Sequence, residues 1–220
     1  MTEEELKIFR IVASVLAIAI AVIGHEIMHG WVAYRYGDTL AKSKGRLSIN
    51  PLVHIDPVGT ILVPVLLYFS GAPFLFGWAK PVPINASKVM QKGGYGAMIA
   101  VSLAGVTFNQ VLAFLLATIF PLFSHPSGPV SAFMYLFIAQ SIVINVVLGV
   151  FNLIPVPPLD GSQVLLYFSA KMNWQGVVKF IEKIFPYGMI FIVILVATPL
   201  SNVLFAPVGW ILKLIMPIGS

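Results

Sequence analysis

Two histidines four residues apart enclose a glutamate in His25-Glu26-Ile27-Met28-His29, the densest cluster of reactive side chains in this 220-residue sequence. On a helix that spacing puts both imidazoles on one face, about one turn apart, and neutral imidazoles so placed can bind one Zn²⁺. Glu26 lies beside that face, so its carboxylate can take a proton from water at the metal without displacing a histidine, the H-E-x-x-H arrangement with Glu as general base. On a soluble helix a chance match would be a serious alternative. Here the cluster sits in an apolar stretch, where an ionisable group costs about 2.5–3.5 kcal/mol at mid-span and marks function by default. Of the eight acidic residues, Glu3, Glu4 and Glu5 are terminal, Asp38 and Asp56 fall in a loop and Glu182 in a polar helix; Glu26 and Asp160 alone lie in or beside apolar spans. A catalytic zinc needs a third protein ligand and an open position, and Asp160 is the best candidate. Pro155, Pro157 and Pro158 forbid a regular helix before it, and Gly161 permits a tight turn after it. Asp160 could instead be the N-cap of a helix over 161–171, a role compatible with ligation.

The elements that must hold these groups are those of a membrane protein. Hydrophobic residues make up 59% of the chain and charged ones 10%, against about 25% charged in a soluble domain, and the mean hydropathy is +0.96. The expectation is an all-α polytopic membrane protein, one domain over 1–220. Its transmembrane bundle has the HExxH helix over 6–36, a re-entrant or loop region over 39–93, spans over about 94–120 and 130–154, the LDG motif at 159–161 and C-terminal helices over 161–217. Within 39–93, the alternation of Gly45-Arg46-Leu47-Ser48-Ile49-Asn50 predicts a short β-strand stopped by Pro51. Residues 58–78 are apolar but broken by Pro64, Gly71, Pro73 and Gly77, with basic segments on both sides, which predicts a segment that enters the membrane and returns. The acidic N-terminus lacks a small-residue cleavage site and reads as a retained first helix. The net charge of +5 comes from Lys and Arg in connecting segments, which fits orientation by cytoplasmic basic loops and not nucleic-acid binding. The 121–129 connection has no charged residue and belongs outside, so the His25–Asp160 region faces the cytoplasmic side, in what we expect to be the cell membrane. With no cysteine, disulfides and thiolate metal sites are excluded.

Together, GHEIMHG, SLAGVTFN and FNLIPVPPLDG resemble the site-2 protease family of intramembrane zinc metalloproteases, over nearly the whole chain. The resemblance implies one catalytic Zn²⁺ on His25, His29 and Asp160, Glu26 activating water, and Asn152 holding the tetrahedral intermediate or the substrate backbone. From the residues alone, Asn152 could equally cap a broken helix end. Gly105 and Asn109 of the middle motif read as packing and interhelical hydrogen bonding near the site. The chain looks like a minimal core, without the PDZ and CBS domains of some relatives. The implied substrate is a transmembrane helix of another protein in the lipid bilayer. A strand over 44–50 could pair with the unwound substrate, making Leu47 and Ile49 candidate contacts. Nothing in the sequence speaks to oligomeric state. The alternative is a non-proteolytic zinc-binding membrane protein, a carrier or scaffold. A carrier needs ionisable groups along a continuous polar path, whereas here they cluster. His54 and Asp56 could form a second metal pair, but more often such residues fix a loop.

Overall fold

Thr2 starts the first helix with a reciprocal cap, its hydroxyl accepting from the Glu5 amide and the Glu5 carboxylate from the Thr2 amide. From this cap the computed structural model, which describes residues 2–71 and 77–216, continues as α1 (Glu3–Arg35), 33 residues long. Every fourth residue of α1 from 13 to 33 is buried: Ala13, Ala17, Ala21, His25, His29 and Ala33. Ile8, Ile11, Val15 and Ile18 on the other side are exposed. In lipid such an outward face matches its solvent, and small residues let neighbouring backbones approach. The stripe that draws α1 inward is therefore the one that carries both histidines.

After α1 comes a short helix, α2 (Leu40–Ser43), then a 3₁₀ turn over Pro51–His54 and a π-helical turn over Pro57–Leu62 that runs into α3 (Val63–Phe69). The chain comes back as an extended stretch over 77–85, beside the point it left: the Trp78 amide donates to the Gly59 carbonyl and the Lys80 amide to that of His54. The β-strand expected over 44–50 is corrected, since the described residues contain no strand. Gly45 turns the chain at φ 66°, and residues 46–50 run with no neighbouring backbone to complete a ladder. Their alternation reflects side chains facing different surroundings from an irregular loop. Arg46 is buried and reaches the Lys80 and Pro81 carbonyls, while Ile49 is exposed.

Asn85 caps α4 (Ala86–Ile119), which kinks where Gly94 takes φ 62°. A 3₁₀ turn over Phe120–Phe123 leads to α5 (Pro129–Asn152). The α1, α4 and α5 helices pack against one another, and α6 (Asp160–Lys171) packs on α4. The chain closes with α7 (Gln175–Ile184), α8 (Gly188–Ala197), α9 (Leu200–Leu204) and α10 (Ala206–Ile215). Val208 of α10 is buried against Ala113 and Val146. Among the described residues, four stretches are long and apolar enough to cross a membrane: Glu3–Arg35, Ala86–Phe123, Pro129–Asn152 and Gln175–Ala197. Pro73, one of the breaks expected in 58–78, lies outside the described residues.

Candidate metal centre

Helix α1 carries His25 and His29 inward, and α5 ends at the same depth. Between α5 and Asp160, three prolines bring no amide hydrogen. The amides that remain close local turns: Ile154 donates to Phe151, Val156 to Ile154 and Leu159 to Val156. A break inside an apolar bundle thus leaves few donors wanting partners. Gly161 sits within α6, not at a tight turn. A Cβ there would fall 2.2 Å from the Leu153 carbonyl oxygen, so glycine lets the start of α6 press onto the end of α5. That contact sets Asp160 opposite the histidines. His25 Nε2 lies 3.0 Å from Asp160 Oδ2, His29 Nε2 lies 3.3 Å from it, and the two Nε2 atoms are 3.0 Å apart.

The other ring nitrogens fix the tautomers. His25 Nδ1 lies 2.6 Å from Asn109 Oδ1, and His29 Nδ1 lies 2.7 Å from the Val101 carbonyl. Asn109 is oriented by its own bonds, because Nδ2 donates to the Ala21 carbonyl and to Asn145 Oδ1. Oxygen acceptors at both Nδ1 positions place the protons there, so both Nε2 atoms present lone pairs. Asp160 Oδ2 is buried with no hydrogen-bond donor. With both rings neutral, three lone-pair atoms face one another, an arrangement that repels unless a cation sits among them. The spacing suits Zn²⁺: tetrahedral bonds of about 2.0–2.1 Å put neighbouring ligand atoms about 3.3 Å apart. Among the described residues, His25, His29 and Asp160 are the one such group of His, Asp and Glu side chains. Gly105 belongs to the same assembly, since a Cβ there would lie 2.6 Å from three atoms of the His25 ring.

The three groups open onto a cavity of about 670 Å³, lined also by Glu26, Asn152 and the 77–85 stretch. Glu26 Oε2 accepts the Val82 amide at 2.8 Å. Asn152, the last residue of α5, reaches the cavity wall, with its Nδ2 turned back to the Leu148 carbonyl at 2.9 Å. Leu47 and Ile49 are not on this wall. Leu47 packs against Gly30 and lines a smaller cavity with Trp31 and Tyr34, and Ile49 faces outward. His54 and Asp56 fix their loop: His54 Nε2 bonds the Ser48 carbonyl, and Asp56 Oδ1 accepts from the Val58 and Gly59 amides. Sequence reasoning missed the 77–85 backbone as the partner of Glu26. The one available signal is Pro81-Val82-Pro83, in which only Val82 has an amide hydrogen.

Comparison with known proteins places the chain among zinc metalloproteases by sequence. YwhC of Bacillus subtilis, named as a candidate zinc metalloprotease, is 35% identical over 197 residues, 88% of this chain and 84% of its own length. Rip2 of Mycolicibacterium smegmatis, named likewise, is 30% identical over 178 residues, 81% of this chain and 64% of its own. Rip2 of Mycobacterium tuberculosis H37Rv is 30% identical over 141 residues, 64% and 51% of the two chains. No solved structure matches significantly. The profile of one family spans residues 13–196, nearly the whole helical bundle including all three candidate ligands, and the chain belongs to that family, peptidase family M50.

Proposed function

We propose that the protein is a zinc metalloendopeptidase that hydrolyses peptide bonds in or near the transmembrane helices of other membrane proteins. The observation that carries this reading is the meeting of His25, His29 and Asp160 beside Glu26 at a cavity set among membrane-spanning helices. His25, His29 and Asp160 would hold the zinc ion, which when bound would supply Lewis acidity to lower the pKa of water and polarise the scissile carbonyl. Glu26 takes the water proton on its carboxylate and passes it to the leaving amine. Asn109 and the Val101 carbonyl keep the rings in the tautomer that ligation requires. Asn152 serves by turning its amide from the Leu148 carbonyl toward the oxygen that becomes negative as the carbonyl is attacked, a donor at the place where charge develops. A substrate helix must unwind to enter, because its peptide groups are shielded by their own hydrogen bonds. The stretch from Pro57 that returns by Trp78 is read as a re-entrant unit beside the cavity. Leu47 and Ile49 remain candidate outer contacts for the incoming chain.

The test uses purified protein and a synthetic transmembrane peptide. Glu26→Gln should keep the parent's zinc content and lose cleavage by roughly 10²–10⁴-fold, the usual worth of a general base. A parent protein that holds zinc but cuts neither helical nor unstructured peptides would identify a carrier or scaffold instead.

A further inference from the structure

Arg46 and Asp38 are buried, at 6% and 0% exposure, yet neither touches the metal ligands. Both hold the same piece of backbone. The Arg46 guanidinium donates to the Lys80 and Pro81 carbonyls. At the far end, Asp38 Oδ2 accepts the Asn85 amide at 2.6 Å, while its Oδ1 accepts that of Leu40 at 2.9 Å. The Lys80 amide is tied to the His54 carbonyl. Residues 80–85 thus form a strap anchored at both ends by desolvated charges. Between the anchors, Pro81 and Pro83 have no amide hydrogen, and the single donor they flank, Val82, reaches Glu26 Oε2 at 2.8 Å. Gly30 makes room for this approach, since a Cβ there would lie 2.9 Å from Val82 Cγ1.

We infer that this strap positions the general base: Arg46 and Asp38 act through the Val82 amide to hold one oxygen of Glu26, leaving the other oriented toward the metal site for proton transfer. The inference rests on the catalytic role proposed for Glu26. A carboxylate on a flexible side chain otherwise samples several rotamers, and orienting it removes that freedom before the reaction begins. Backbone provides the donor, so side-chain identity at position 82 is secondary to the presence of its N–H. The strap is a positioning element and does not itself touch the reacting atoms.

Two measurements on the full chain in detergent test this. By hydrogen exchange, a proteolytic peptide over 80–84 reports Val82 and Ile84 alone, because the prolines have no amide and its first residue exchanges back. Glu26→Ala should speed exchange in that peptide about ten- to hundred-fold, as loss of a hydrogen bond to a charged group implies; an unchanged rate overturns the inference. By kinetics on a quenched-fluorescent synthetic transmembrane peptide with a glycine-rich centre, Val82→Pro should lower kcat about ten-fold, fall well below Val82→Ala, and keep KM and zinc content. Equal loss in both variants, or no loss in Val82→Pro, overturns it. Should Val82→Pro lose its zinc, Arg46→Gln takes its place with the same expected pattern, and zinc loss from both would make the strap a mere support of the metal site and overturn the inference. If the parent protein cleaves no such peptide, the proposed function fails, while the exchange measurement still decides whether the strap holds Glu26.

Discussion

At the scale of single residues, the candidate metal centre depends on atoms that would not touch the metal. The His25 ring is caught between Asn109 Oδ1, 2.6 Å from its Nδ1, and the bare backbone of Gly105 against its face. Asn109→Ala removes the acceptor that keeps the proton on Nδ1 and leaves the ring free to turn. Loss of such an outer partner weakens metal binding by about 10–100-fold, so zinc titrations against a competing chelator should show a drop of that size with the helix content unchanged. Affinity equal to the parent's would mean that Asn109 only packs. Gly105→Ala attacks the same ring sterically and should also deplete zinc, because the ring cannot retreat without abandoning Asn109. The HExxH helix and Asp160 are legible in the sequence because their signals are local: a spacing of four on a helix, and an acid where acids are costly. Asn109 is half legible, as a polar residue in an apolar span. The Val82 amide is barely legible, since every non-proline residue carries one and only the flanking Pro81 and Pro83 single it out, and Asp38 and Arg46 look like ordinary loop charges until burial is known.

At the scale of elements, the junction between α5 and α6 places the third candidate ligand. Its prolines spare the bundle unpaired amides, and Gly161 lets α6 start against the Leu153 carbonyl. A methyl at 161 would meet backbone, at 2.2 Å from Leu153 O and 2.5 Å from its carbonyl carbon, and backbone cannot swing aside as a side chain can. Gly161→Ala should therefore move the start of α6, pull Asp160 from the histidines and deplete zinc. The overpacking cost is about 1–3 kcal/mol, readable as a lower thermal midpoint in detergent. Full zinc with an unchanged midpoint would show that the junction yields more easily than its contacts suggest. The long helices are legible because length and hydropathy are properties of one segment. Alternation over 44–50 misleads for the opposite reason: a strand is a relation between two segments, and no periodicity inside one reveals whether a partner exists.

At the scale of the whole molecule, the loops and helix ends that carry most of the basic residues meet at one end of the folded chain. Gly37, just past the end of α1, lies close to Lys92 of α4. Lys42 meets Tyr34, and Tyr167, four residues before Lys171, packs on the cluster around Ala33 and Val89. Arg35, Lys42, Lys88, Lys92 and Lys171 therefore gather at one end of the bundle, while the uncharged 121–129 connection joins α4 to α5 at the other. Basic ends stay cytoplasmic, so the candidate metal centre, about ten residues or roughly 15 Å before the end of α1, should open toward the cytoplasm. The same geometry bears on the stretch between Pro57 and Trp78. Because the Lys80 amide bonds the His54 carbonyl, its two ends lie side by side, and a single crossing of the bilayer would have to separate them. The chain has no cysteine, so each introduced thiol reports alone. Cysteines replacing Lys42 and Lys88 should react with a membrane-impermeant reagent only in inverted vesicles, and one replacing Ser127 only in intact cells. Labelling of positions 42 and 88 from opposite sides would require the intervening segment to cross, pulling His54 from Lys80 and the strap from Glu26.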